Sequence, residues 1–204
     1  MQPFAGDRWT LIRELVGADT ESVLDVGCRD RRLRAELPPE TRYVGLDLAP
    51  PADVIASAEG PLPFDDGAFT TVVLADVLEH LEHPHRALDE AMRVAERAVV
   101  LVLPNVATLF MRLHFAARGR MPGGKYAFGP DHPGDRHRWL LNASDARAFV
   151  TGRASAAGWR VTREVAQVRP FRRRAARLAY AAARVATGPN VWSWAYAARL
   201  EPRA

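Results

Sequence analysis

Three groups of residues in this sequence have side chains and spacings suited to chemistry. The first is a tight turn, Gly27-Cys28-Arg29, closing an apolar run, with Asp47 following about 20 residues later. At that separation an acidic side chain accepts hydrogen bonds from a ribose hydroxyl, so a ribose-bearing cofactor is the first expectation. The second is His80, just past another apolar run. The third is Asp131, His132, Asp135 and His137. A histidine beside an acidic residue there is suited to take a proton near neutral pH, although the same composition also makes an ordinary polar turn. This third group lacks helical ligand spacing, and Cys28 is the single cysteine. No metal and no internal disulfide are therefore expected.

The turn argues against two kinds of nucleotide. A dinucleotide site needs three glycines, for the turn, for approach to a pyrophosphate and for helix packing. Here Gly27 is followed by Cys28, Arg29, Asp30, Arg31 and Arg32, and no Gly-Lys-Ser/Thr follows for a phosphate loop.

The elements that must hold these groups can be read from periodicity. Val23 to Val26 is a short buried-strand run, Arg31 to Glu36 a helix stopped by Pro38-Pro39, and Arg42 to Leu46 a second strand. Asp53 to Ala58, Thr70 to Ala75 and Ala98 to Leu103 continue the pattern. A helix over Ala87 to Ala95 stands between the last two. Trp159 to Val165 and Val191 to Leu200 complete seven strands, and Asn142 or Ser144 should cap a helix running to Ala157. Asp7 caps an opening helix, Arg8 to Val16, whose Arg8 and Arg13 are either plain surface charges or within reach of a carboxylate. Strands alternating with helices predict an α/β, three-layer, doubly wound sheet with its ligand outside the carboxyl ends of the strands.

VLDVGC, YVGLDL and PLPFDDGAFTTVVLADVLEHLEHP, taken in order across residues ~22 to 105, resemble the successive motifs of class I S-adenosylmethionine-dependent methyltransferases, of the type 11 kind. The resemblance implies a Rossmann-like, seven-stranded, mostly parallel sheet with an antiparallel last strand. It implies S-adenosylmethionine as cofactor. Carried over by position, Asp25, Gly27, Cys28 and Arg29 would face its methionine part, Asp47 the ribose hydroxyls, and Ser57, Ala58 and Ala75 the adenine and sulfonium surroundings, with Leu48 also among the cofactor-binding residues. His80 matches a histidine that lies near the substrate in that family, or it is a helix-start histidine bonded to backbone. Arg29 stands where a second glycine is usual, Ser57 where an acidic residue often faces adenine, and Thr70 departs from a Phe-Asp pair. Arg29 either pairs with the cofactor carboxylate or is a solvated turn residue.

Residues 106–139 depart from the minimal fold. Gly119 to Arg138, rich in Gly, Pro and His, is too long for a connector and reads as a lid that would bring His132 or His137 to the substrate. Asn105, at a strand end, either positions substrate or caps the next helix. Residues 170–187 read as a basic amphipathic helix before the last strand, with Phe171, Leu178 and Val185 on one stripe and Arg172, Arg173, Arg174, Arg177 and Arg184 elsewhere. It either packs on the sheet or meets an anionic membrane or carrier.

Residues from Pro170 onward hold seven of the chain's 28 basic residues and one of its 24 acidic ones, leaving 21 against 23 before it. The basic excess therefore belongs to the tail, and a nucleic-acid substrate is disfavoured. A chain of 204 residues suits a single domain over 1–204. A lone cysteine and no long apolar run fit a cytoplasmic protein. The expected activity is methyl transfer to an oxygen or nitrogen of a small or medium-sized substrate, with a non-catalytic cofactor-binding or partner-binding protein as the alternative.

Overall fold

A computed structural model of the chain describes residues 1–126, 130, 134–168 and 187–203. The predicted helix 170–187 falls almost entirely outside these, as do Asp131 and His132.

Eight strands form one sheet: β1 (Gln2–Phe4), β2 (Ser22–Val26), β3 (Arg42–Asp47), β4 (Val54–Ile55), β5 (Phe69–Ala75), β6 (Ala95–Pro104), β7 (Trp159–Gln167) and β8 (Ala195–Pro202). Their order is β1-β7-β8-β6-β5-β2-β3-β4. β8 runs antiparallel to β6 and β7, and the remaining pairs are parallel. The seven expected strands are present, with β1 as an eighth on the edge, in register Gln2 to Val165. Three residues are too short a run to show periodicity.

The central strands β2 and β5 are buried almost throughout because helices cover both faces. Leu24, Val26, Val72, Leu74, Val99 and Leu101 point to one core, capped by α2 (Pro84–Val94) through Leu88 and Met92 and by α4 (Ala143–Ala156) through Val150. Val23, Val73, Val100 and Val102 point to the other, against Leu11, Ile12 and Leu15 of α1 (Arg8–Val16). Asp7 caps α1 as expected, accepting from the Trp9 and Thr10 amides, and Asn142 caps α4 through the Ser144 and Asp145 amides. β2 feeds β3 on one side and pairs with β5 on the other, the strand reversal outside whose carboxyl ends sheets of this kind take their ligands.

Three expectations change. The helix after the turn is a 3₁₀ segment, Arg32–Glu36, kept short by Pro38-Pro39. The third strand shrinks to Val54–Ile55, its entry fixed by Asp53, whose carboxylate accepts from the Gly45 amide (2.9 Å) and pairs with Arg31 (2.8 Å). The final strand begins at Ala195 rather than Val191, because Pro189 opens a helical turn, Pro189–Trp192, closed by the Ser193 hydroxyl on the Pro189 carbonyl (2.7 Å).

Candidate active site at the carboxyl ends of the central strands

At the end of β2 the chain turns at Gly27, φ 73°, whose amide donates to the Leu46 carbonyl (2.8 Å). A Cβ at Gly27 would lie 2.5 Å from a Val77 methyl, so both φ and space require glycine. Arg29 also takes a left-handed φ of 50°, where a full side chain is strained, and its amide donates to Asp47 Oδ2 (2.8 Å). Leu48 donates its amide to Asp47 Oδ1 (2.6 Å). Each Asp47 oxygen thus accepts one backbone bond and keeps a lone pair for a ligand hydroxyl. Leu48, 71% exposed, leaves an apolar side chain uncovered beside Asp47.

Asp25 is buried behind this turn and accepts from the Tyr43 hydroxyl (2.7 Å). Burial pushes its carboxyl up to about 7 and the Cys28 thiol up to about 11, leaving Cys28 a packing residue against Gly45. Ser57 accepts the Glu59 amide on its hydroxyl (3.1 Å), Ala58 packs against the core, and Ala75 ends β5. Glu59 caps the Glu82 and His83 amides, tying the β4 loop to the segment after β5.

Beyond β5, Asp76 adopts a left-handed φ of 55° and pairs with Arg8 of α1. A 3₁₀ turn, Leu78–His80, follows. The end of the predicted lid folds back on it: the Arg138 and Trp139 amides donate to the Glu79 carbonyl (2.8 and 3.2 Å), and the Trp139 indole donates to the Leu81 carbonyl (2.7 Å). This brackets His137 against His80, their rings edge to face at 4.7 Å. His80 Nδ1 lies 2.8 Å from the Arg136 carbonyl and 3.2 Å from Asp135, and His137 Nδ1 lies 3.1 Å from the Tyr126 hydroxyl. Both imidazoles are held below their ordinary value, His137 to about 4, first by burial and then by neighbouring positive charge. The positive charge of Arg29, on the Gly27 turn, is among those that lower His80.

Glu79, unremarked in the sequence although it adjoins His80, has a fully buried side chain. Its carboxyl is pushed up to about 7 by burial, against the nearby positive charges of Lys125 and Arg8. Of the three predicted catalytic histidines the structure brings together His80 and His137. Asn105 does not reach this site: its Nδ2 donates to the Asn190 and Ser193 carbonyls (3.0 and 2.7 Å) and its Oδ1 accepts the Ala107 amide, a structural clamp.

The family model for methionine biosynthesis protein MetW matches residues 7–128. A bifunctional methionine biosynthesis protein MetXA/MetW of Rhodopirellula baltica is 28% identical over 161 residues, 68% of this chain and 25% of that protein. The chain therefore spans about a quarter of the length of that curated relative. Among solved structures, a SAM-dependent methyltransferase of Methanosarcina mazei superposes with a TM-score of 0.59 at 14% identity, covering 98% of this chain and 99% of the other. One from Archaeoglobus fulgidus gives 0.57 at 14% identity, covering 95% and 94%. The magnesium protoporphyrin IX methyltransferase of Synechocystis, determined with bound SAH, gives 0.58 at 15% identity, covering 95% and 81%. A sheet ordered this way, with a family match across more than half its residues, makes the chain a member of the MetW family on the class I methyltransferase fold.

Proposed function

We propose that the chain binds S-adenosylmethionine and directs methyl transfer to an oxygen or nitrogen of a small or medium-sized substrate, in the cytoplasm. The observation that carries this reading is the Asp47 carboxylate, fixed at the end of β3 by two backbone amides and retaining acceptor capacity toward the crevice. When bound, the cofactor supplies an electrophilic methyl group on a sulfonium. Asp47 would hold its ribose hydroxyls, Leu48 would cover the adenine side, and the Gly27–Arg29 turn would face the methionine part. Ser57 and Ala58 line the approach from β4, and Ala75 with Asp25 closes the floor. His80 and His137 stand on the acceptor side, where their ring nitrogens orient an acceptor group, and His132 is assigned to the same lid. Residues 119–138 would exclude water when substrate is seated.

Isothermal titration of the chain with S-adenosylmethionine and its demethylated product tests the reading directly. Asp47→Ala should weaken binding by about 1.5–3 kcal/mol, the value of hydrogen bonds to a charged group. Unchanged affinity in a folded variant removes Asp47 from the site.

A second reading, a partner-binding protein on the same fold, is favoured by α3 (Leu109–Arg118). It buries no residue and exposes Leu109, Phe110, Leu113 and Phe115. A chain that takes up neither form of the cofactor supports this second reading.

A further inference from the structure

We propose that Glu79, His80 and His137 form a site for one divalent transition-metal cation of the zinc class at the acceptor side of the crevice. The ligand atoms of these three residues lie within 4.8 Å of one another. Glu79 Oε1 stands 3.8 Å from His80 Nε2 and 3.9 Å from His137 Nε2. A cation about 2.0–2.2 Å from each ligand in tetrahedral geometry sets neighbouring ligands about 3.4 Å apart. The two separations from Glu79 therefore exceed that spacing by only about half an ångström, and the two imidazole nitrogens lie within 4.8 Å of each other.

Two independent observations point to a ligand here. First, both Glu79 carboxylate oxygens are fully buried and, among the described residues, no hydrogen-bond donor of another residue reaches them, its own backbone amide being the one donor nearby. A buried carboxyl group without a partner is costly. A proton alone does not resolve the cost, since the imidazole nitrogens are beyond hydrogen-bond range. A cation between the three groups satisfies the carboxylate and both nitrogens together.

Second, each imidazole is already oriented as a metal ligand. Metal-binding histidines donate the ring N–H that does not bind metal to an oxygen, which fixes the tautomer. His80 Nδ1 faces the Arg136 carbonyl, an acceptor only, so the hydrogen sits on Nδ1 and the Nε2 lone pair faces Glu79. His137 Nδ1 lies 3.1 Å from the Tyr126 hydroxyl, which is able to accept the Nδ1 hydrogen and so leave the lone pair on Nε2. Two imidazoles and one carboxylate form a donor set for zinc, iron or cobalt rather than magnesium or calcium. Three protein ligands leave a position open for water or an acceptor oxygen.

Lys125 Nζ occupies this ground now, 3.4 Å from His80 Nε2 and 3.4 Å from Asp135. Its side chain is 39% exposed, so it can swing out as the cation enters. The inference deepens the acceptor side of the methyl-transfer reading and rests on it only for the identity of the fourth ligand.

The test uses the full chain, purified without a histidine tag and treated with chelator. Cobalt(II) is followed by its visible absorption and zinc(II) by calorimetry. The expected result is one cation per chain. Glu79→Gln and His137→Asn, each verified as folded by circular dichroism, should weaken binding beyond the roughly 10–100-fold that loss of an outer partner costs. Tyr126→Phe should fall within that range, and Lys125→Met should tighten binding by removing the competing charge. Absence of stoichiometric binding overturns the proposal, as does binding that survives both Glu79→Gln and His137→Asn. Cofactor titration of the metal-free chain is scored separately, so loss of one reading leaves the other standing.

Discussion

Arg29 and Asp25 show how much of the cofactor end is set by single side chains in costly states. Arg29 adopts a φ of 50°, a conformation worth about 1–2 kcal/mol of strain for a non-glycine, and in return its amide reaches Asp47. Asp25 is buried where its ionised form is disfavoured, and its carboxyl titrates near 7 instead of 3.8, against the Tyr43 hydrogen bond that favours the charge. The folded state therefore retains a proton that the unfolded chain has already released between about pH 4 and 7, and stability falls as pH rises through that window. Asp25→Asn should remove this loss. Urea unfolding of the two proteins should show the variant gaining on wild type at pH 8 relative to pH 4, and parallel pH profiles would show that Asp25 does not carry the effect.

Among the elements, the joint between β6, the lid region and β8 depends most on one residue. Asn105 is buried and binds the carbonyls of Asn190 and Ser193 as well as the Ala107 amide, clamping the end of β6 to the turn that launches β8. Asn105→Ala would leave those groups unpaired in the interior and should cost about 1–3 kcal/mol, read as a lower thermal midpoint. Because Asn105 lies apart from the Glu79 cluster, cation affinity should be retained in the folded variant. An unchanged midpoint would mean that water or a shifted turn replaces the clamp. The same clamp explains why β8 starts later than the expected Val191: Pro189 and the bonded Ser193 commit the intervening residues to a helical turn.

For the whole molecule, charge and covalent order set different things. Residues before Pro170 are close to balanced and the basic excess lies after it, so an encounter with anionic lipid would be carried by that tail. Co-sedimentation with anionic vesicles should then fall steeply between low and physiological salt, and no binding at low salt would leave the segment only a packing role. No helix among the described residues is long and apolar enough to cross a membrane. The sequence alone determined the order of the seven expected strands, the glycine turn and the placement of Asp47, because these follow from local periodicity, steric need and short spacing: Val23 to Val26, Gly27 and Asp47 lie within one β-turn-β unit. Only the tertiary structure decided the edge strand β1, whose three residues carry no pattern, and the strain at Arg29, which depends on the bond to Asp47. It also decided the joining of His137 to Glu79 and His80. That contact is made by the Arg138 and Trp139 amides on the Glu79 carbonyl, backbone bonds between segments far apart in the chain, and side-chain spacing along a sequence carries no signal of such a bond.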